Sequence, residues 1–134
     1  MKTKIKAKQK AWEFYEAWRQ VKSNSPALGC EVRVSLLGWR HITGATGAKK
    51  RTFKDMYWRL KILPYAKQII ETSTTVQNIS ERKGRKYYAL EAMIEIEQDN
   101  SKSMRKVRVI LLEDKQGNKI FYSVMDKKSG SPHA

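Results

Sequence analysis

Few residues in this chain are suited to chemistry, and one histidine stands apart. His41 lies in Gly38-Trp39-Arg40-His41-Ile42, after an alternating apolar stretch, where a scaffold could aim it outward. The other histidine, His133, sits beside Pro132 at the chain's end and is discounted as a catalyst. Cys30 is the only cysteine, so neither a disulfide framework nor a cysteine-based zinc site can form. No His/Cys/Asp cluster accompanies His41, and no metal or other cofactor is expected. The patterns GxxxxGK[ST], GxGxxG and GxSxG are absent, which argues against nucleotide-fuelled and α/β-hydrolase chemistry. One reaction fits a single histidine in a cationic setting: cleavage of RNA by its own 2′-hydroxyl. An imidazole, which titrates near 6.5 in water, can remove that hydroxyl's proton at neutral pH. Lysine or arginine then stabilises the charge that gathers on phosphorus, and a hydroxyl or phenol holds the phosphate in line.

The charge balance agrees with a polyanionic partner. Of 134 residues, 28 are Lys or Arg and 13 are Asp or Glu, a formal net charge of +15. Basic clusters recur at Lys2–Lys10, at Lys49-Lys50-Arg51, at Arg82–Lys86 and at Lys102–Arg108, and acids interrupt chiefly at Glu91, Glu95 and Glu97. Such a field favours nucleic-acid phosphates over a membrane surface, because the clusters fall in loops and strands as well as on the first helix. No apolar run approaches the about 18 residues of a membrane span, and Met1–Lys10 lacks the apolar core of an ordinary secretory signal. The isolated chain is therefore expected in the cytoplasm.

The elements that must position these residues follow from periodicity. Ala11, Phe14, Tyr15, Trp18 and Val21 predict an amphipathic helix over about 3–22, stopped by Asn24-Ser25-Pro26. Glu31–Leu36 alternates and predicts a strand ended by Gly38, followed by a loop over 44–50. Thr52 is a plausible N-cap for a second helix, which Pro64 breaks or kinks and which runs to about Glu71. Ser73–Ile79 predicts a short strand, and Glu81–Arg85 a charged turn around Gly84. Tyr88, Leu90, Ala92, Ile94 and Ile96 mark one face of a strand, and Lys106–Leu112 a central strand. Asp114–Asn118 predicts a hairpin, and Lys119–Met125 its returning strand. The expected fold is α+β, with N-terminal helices packed on a four-stranded antiparallel β-sheet. The expected organisation is a basic amphipathic helix over 1–28, a main domain over 29–128 and a flexible tail over 129–134.

Four segments in order resemble a known family. Val34–Ile42 resembles the strand, Gly-aromatic-x-His-Ile signature of the barnase–EndoU–colicin–RelE superfamily, as found in phage and polymorphic-toxin nucleases. Arg59–Thr75 is similar to its second helix and the polar turn beyond, and Tyr87–Ala92 to its second strand. Val107–Leu112, Gly117 and Lys119–Val124 resemble its closing hairpin, with a Phe-aromatic-Ser-Val ending. The resemblance spans about residues 31–126. It implies a metal-independent endoribonuclease of toxin type, cutting RNA, tRNA included, to leave a cyclic phosphate. Position by position, it implies His41 as base or acid and Ser123 as a phosphate-binding or catalytic hydroxyl. Tyr88 would line the same face, Thr74 or Thr75 the mouth, and Arg59 would clamp the phosphate, with Arg51 as a substitute from the nearer loop. Lys50, Arg51, Thr74, Arg85 and Lys86 would bind RNA, and Lys86 could equally supply the cation. The general acid is left unassigned. A toxin implies delivery to a target-cell cytoplasm and an acidic immunity or antitoxin protein covering His41.

Two other classes stay open at this point. A non-enzymatic RNA- or DNA-binding protein of a phage or mobile element would use exposed aromatics in a basic groove. An interaction module for an acidic protein would lose RNA affinity near physiological salt.

Overall fold

A computed structural model describes residues 2–44, 52–98 and 100–126. Helix α1 (Lys2–Arg19) is followed by β1 (Ser23–Ser25), β2 (Cys30–Arg33), α2 (Leu36–Thr43) and α3 (Phe53–Thr72), then β3 (Asn78–Arg82), β4 (Arg85–Gln98), β5 (Ser101–Glu113) and β6 (Lys119–Asp126). The α+β class holds. The sheet, however, has six strands in the order β1-β2-β6-β5-β4-β3 and is mixed, because β2 pairs with β6 in parallel. The four-stranded antiparallel expectation missed β1, a three-residue polar strand with no alternation to reveal it. The parallel pairing joins elements far apart in sequence, which no local pattern encodes. Among the described residues no helix is long and apolar enough to cross a membrane.

The sheet is curled. The Ser73 carbonyl accepts from the Ala27 N–H beside β1, and the Gln77 N–H donates to the Ala89 carbonyl on β4. That short link bridges the two sides of the sheet, and α3 contacts strands on both, β1 as well as β4. Helix α3 lies in the hollow, and its Leu60, Leu63, Ala66 and Ile70 are buried with Leu90, Val107, Val109 and Leu111 of the sheet. Pro64, expected to break or kink this helix, lies within one continuous element from Phe53 to Thr72. Thr52 caps α3 as anticipated, its side chain accepting from the Asp55 N–H. Helix α1 packs into the same core through Tyr15 and Trp18, both fully buried.

The largest departure concerns residues 34–43. The expected strand over Glu31–Leu36 ends at Arg33, and the segment read as strand end and glycine stop is helix α2. Ser35 caps it by accepting from the Leu37 N–H, and Gly44 closes it in the left-handed conformation, with φ of 80°. Gly38 is inside this helix for a packing reason. A Cβ there would stand 2.6 Å from the Phe121 ring, 2.7 Å from the Tyr15 hydroxyl and 2.8 Å from the Phe121 carbonyl oxygen. Strand β2 pairs with β6 only at Lys119 and Ile120. Where that pairing stops, α2 covers β6, and only glycine allows the approach. Gly38→Ala is accordingly expected to cost about 1–3 kcal/mol through overpacking, despite alanine's better helix propensity. A urea titration showing no loss of stability would contradict the seat described for α2.

Smaller differences follow the same logic. The strand expected over Ser73–Ile79 begins only at Asn78, since the preceding residues bridge the edges of the curl. The turn at Lys83-Gly84 and the Asp114–Asn118 hairpin are where they were expected. The tail over 129–134 and the loop residues Lys50 and Arg51 lie outside the described residues.

Candidate functional site

The site grows from the edge of β6. Its ladder with β5 slips: Leu111 faces Phe121 and Ile110 faces Ser123, so that Tyr122 is the extra residue between two consecutive pairs. A β-bulge of this kind adds one residue to a strand and re-aims the side chains around it. Phe121 fills the core, Tyr122 is half-buried, and Ser123 and Val124 are both buried. Strict alternation would have turned one of the last two outward.

His41, on the last turn of α2, stacks on Tyr122 with ring centroids 4.0 Å apart and planes 28° from parallel. The same tyrosine meets Tyr87 of β4 at 5.5 Å, and the Arg82 guanidinium lies 5.0 Å over the Tyr87 ring. Arg82, Tyr87 and Ala89 project away from α3, since Tyr88 and Leu90 take the core side of β4. Cation, ring and ring thus run in file across the face turned from α3, and α2 brings the imidazole to its end.

On the other side of the bulge stands Arg59 of α3. Its Nη1 donates to Ser123 Oγ at 2.8 Å and to the Val124 carbonyl at 3.3 Å, and its Nε donates to Asp55 at 3.1 Å. The Arg59 side chain is 13% exposed, so the cation is held rigidly at the rim between a carboxylate and β6. Ser123 is 1% exposed. Its hydroxyl is closed to a substrate, and what it does here is anchor the guanidinium.

Three of the expected residues are therefore tied to one stretch of β6. His41, Arg59 and Ser123 come from α2, α3 and β6 and meet across the consecutive residues Tyr122 and Ser123. Tyr88 is elsewhere. It packs against the core and donates to Glu113 at 2.9 Å, with the Lys119 ammonium 5.2 Å over its ring. Burial first, then the Glu113 bond, raises the Tyr88 phenol above its ordinary value. Thr74 and Thr75 are exposed beyond the far end of α3, and Thr75 accepts from Gln77. Arg85 and Lys86 are exposed at the β3–β4 turn, on opposite faces of β4 by parity. Lys50 and Arg51 fall outside the described residues. Sequence reasoning missed Tyr122, Tyr87 and Asp55. The Asp55–Arg59 spacing of four on a helix was a readable signal for the last. Among the described residues no group of three His, Cys, Asp or Glu could hold a metal ion.

The Tyr88–Glu113 contact belongs to the hairpin. The Lys119 bond, then the Tyr88 bond, holds the Glu113 carboxyl below its ordinary range, and bonds from Asn118 do the same for Asp114. Groups with lowered folded values contribute stability that is complete above the free carboxyl range and lost as pH falls through the folded values. Melting temperature should therefore drop as pH falls below about 4, the free carboxyl range. In Glu113→Gln combined with Asp114→Asn that drop should be shallower; an unchanged slope would contradict the hairpin's role.

Comparison with family models, with curated proteins and with solved structures found no match.

Proposed function

We propose that this chain is a toxin-type endoribonuclease of the barnase–EndoU–colicin–RelE kind, cleaving RNA by 2′-hydroxyl attack without a metal. The observation that carries this reading is that a stacked imidazole and an oriented guanidinium engage consecutive residues at one bulge of β6. In this reading His41 takes the proton of the 2′-hydroxyl, O2′ bonds to phosphorus, and the P–O5′ bond breaks to leave a 2′,3′-cyclic phosphate. The departing O5′ takes a proton, and the Tyr122 phenol is the proton-bearing group stacked on His41. Arg59, aimed by Asp55 and Ser123, stabilises the charge on the phosphorane oxygens. The net charge of +15 draws in the polyanion and suits an acidic immunity protein as a second partner.

The test is incubation of the purified protein with total RNA and tRNA in excess EDTA, read on a denaturing gel. Discrete fragments ending in cyclic phosphate are expected, and intact RNA would overturn the reading. A second reading, a non-enzymatic RNA-binding protein, is favoured by one observation: the Arg82–Tyr87–Tyr122–His41 file is a stacking surface whether or not bonds are cut. A gel shift with no change in RNA length would support it.

A further inference from the structure

Beside the tyrosine file lies a cleft of about 180 Å³, lined among others by Asn78, Ser80, Arg82, Tyr87, Arg108 and Ile110. The register of the sheet explains why these residues meet. Asn78 pairs with Ala89 and Ala89 with Ile110, while Ser80 pairs with Tyr87, so all project from the face opposite α3. The floor is apolar, with Ile110 and Met125; one wall is the Tyr87 ring, and the rim carries an amide, a hydroxyl and two guanidinium groups. Arg108 is fixed in place by Glu91 at 2.6 Å.

The geometry points to a nucleobase subsite: the cleft takes one unpaired base of single-stranded RNA, seated against Tyr87, next to the bond that His41 acts on. Several features select this occupant. The volume is below the about 300–1,000 Å³ of drug-sized ligand sites and suits one planar ring system. A π-face, an apolar floor and polar groups at the rim are what a flipped or unstacked base requires. The surrounding positive charge supplies the backbone contact. The His41 ring lies no farther from the Tyr87 ring than two ring contacts laid end to end, one stacked at 4.0 Å and one tilted at 5.5 Å. A base in the cleft therefore leaves a neighbouring sugar–phosphate linkage at the imidazole. A base already paired in a duplex has no free edge to enter, so double-stranded RNA is excluded. The position of this subsite relative to the cut bond rests on the ribonuclease reading.

The test measures binding apart from cleavage. Labelled single-stranded 2′-O-methyl oligonucleotides, which lack the attacking hydroxyl, are titrated with the full chain in EDTA, with the base removed at each position in turn. One abasic position should weaken binding about tenfold or more. Tyr87→Ala should weaken binding of the intact strand by a similar factor and abolish the abasic penalty. Tyr87→Phe, which keeps the ring, should retain the wild-type pattern. Ser80→Trp, which fills the cleft from the edge strand, should behave like Tyr87→Ala, and thermal melts show that each variant is folded. The inference is overturned if no abasic position carries a penalty, if the penalty persists in Tyr87→Ala and Ser80→Trp, or if duplex RNA binds as tightly as the single strand. Base-dependent binding by a protein that leaves natural RNA uncut would support the subsite and overturn only the ribonuclease reading. Cleavage without base dependence would overturn only the subsite.

Discussion

His41→Ala is expected to lower RNA cleavage in EDTA by about 10²–10⁴-fold, the usual contribution of a positioned general base. Binding and folding should survive, because His41 is half-buried at the end of a short helix whose seat is made by Gly38 and Ile42. The loss should therefore fall on turnover rather than on affinity for an uncleavable RNA. His41→Gln, which keeps a planar polar side chain over Tyr122 but cannot take up a proton at neutral pH, should be as inactive as His41→Ala. Persistent cleavage with unchanged binding in either variant would remove His41 from its assigned role. Both variants need comparison at equal salt, since phosphate contacts dominate affinity for so basic a protein.

Trp18→Ala is expected to remove about 3–5 kcal/mol of stability, a large share of the about 5–15 kcal/mol that holds a domain of this size together. Trp18 is 1% exposed, and its ring meets Phe121 at 5.0 Å and Tyr15 at 5.9 Å. Its indole N–H donates to Ser23 at 2.8 Å, and that hydroxyl donates to Glu71 at 3.1 Å, tying α1 and β1 to the end of α3. Truncation leaves a large void between helix and sheet as well as breaking this chain of bonds. Trp18→Phe keeps most of the packing and loses the N–H, so it should cost only about 1–2 kcal/mol beyond the smaller ring. Equal stability of wild type and Trp18→Ala in urea would mean that α1 is a dispensable appendage rather than part of the core.

The two expectations meet at Phe121. Trp18 and Tyr15 press on its ring, Gly38 of α2 rests on its ring and carbonyl, and the next residue is the tyrosine under His41. The core under α1 thus sets the depth of α2, and α2 sets the height of the imidazole above β6. That gives Gly38→Ala a second readout, lower turnover at temperatures where the variant is still folded.

Much of this protein is determined by its sequence alone. The 3.6-residue spacing of Ala11, Tyr15 and Trp18 makes α1, and a threonine cap with an apolar face makes α3. Strict alternation makes β4, a run of Val, Ile and Leu makes β5, and Asp114 to Asn118 turns the chain into β6. Each is a local preference that its neighbours reinforce, and each is present where periodicity placed it. His41 was also legible from its type and context, and Arg59 and Ser123 were named by the resemblance. Only the tertiary structure decided what those three touch. Gly38, a breaker in isolation, is helical because Phe121 leaves room for nothing larger. Val124 turns inward because a bulge in β6 breaks the alternation that starts at Phe121, and Ser123, buried beside it, holds Arg59 instead of facing substrate. Tyr88 shares the apolar face of Leu90, Ile94 and Ile96, as alternation placed it, but that its neighbour Tyr87 joins the His41 file depends on how α2 and β6 pack. The parallel pairing of β2 with β6 and the curl that brings β1 near β4 depend on contacts between distant segments. Such contacts are settled by shape and burial across the whole molecule, and no window along the chain contains them.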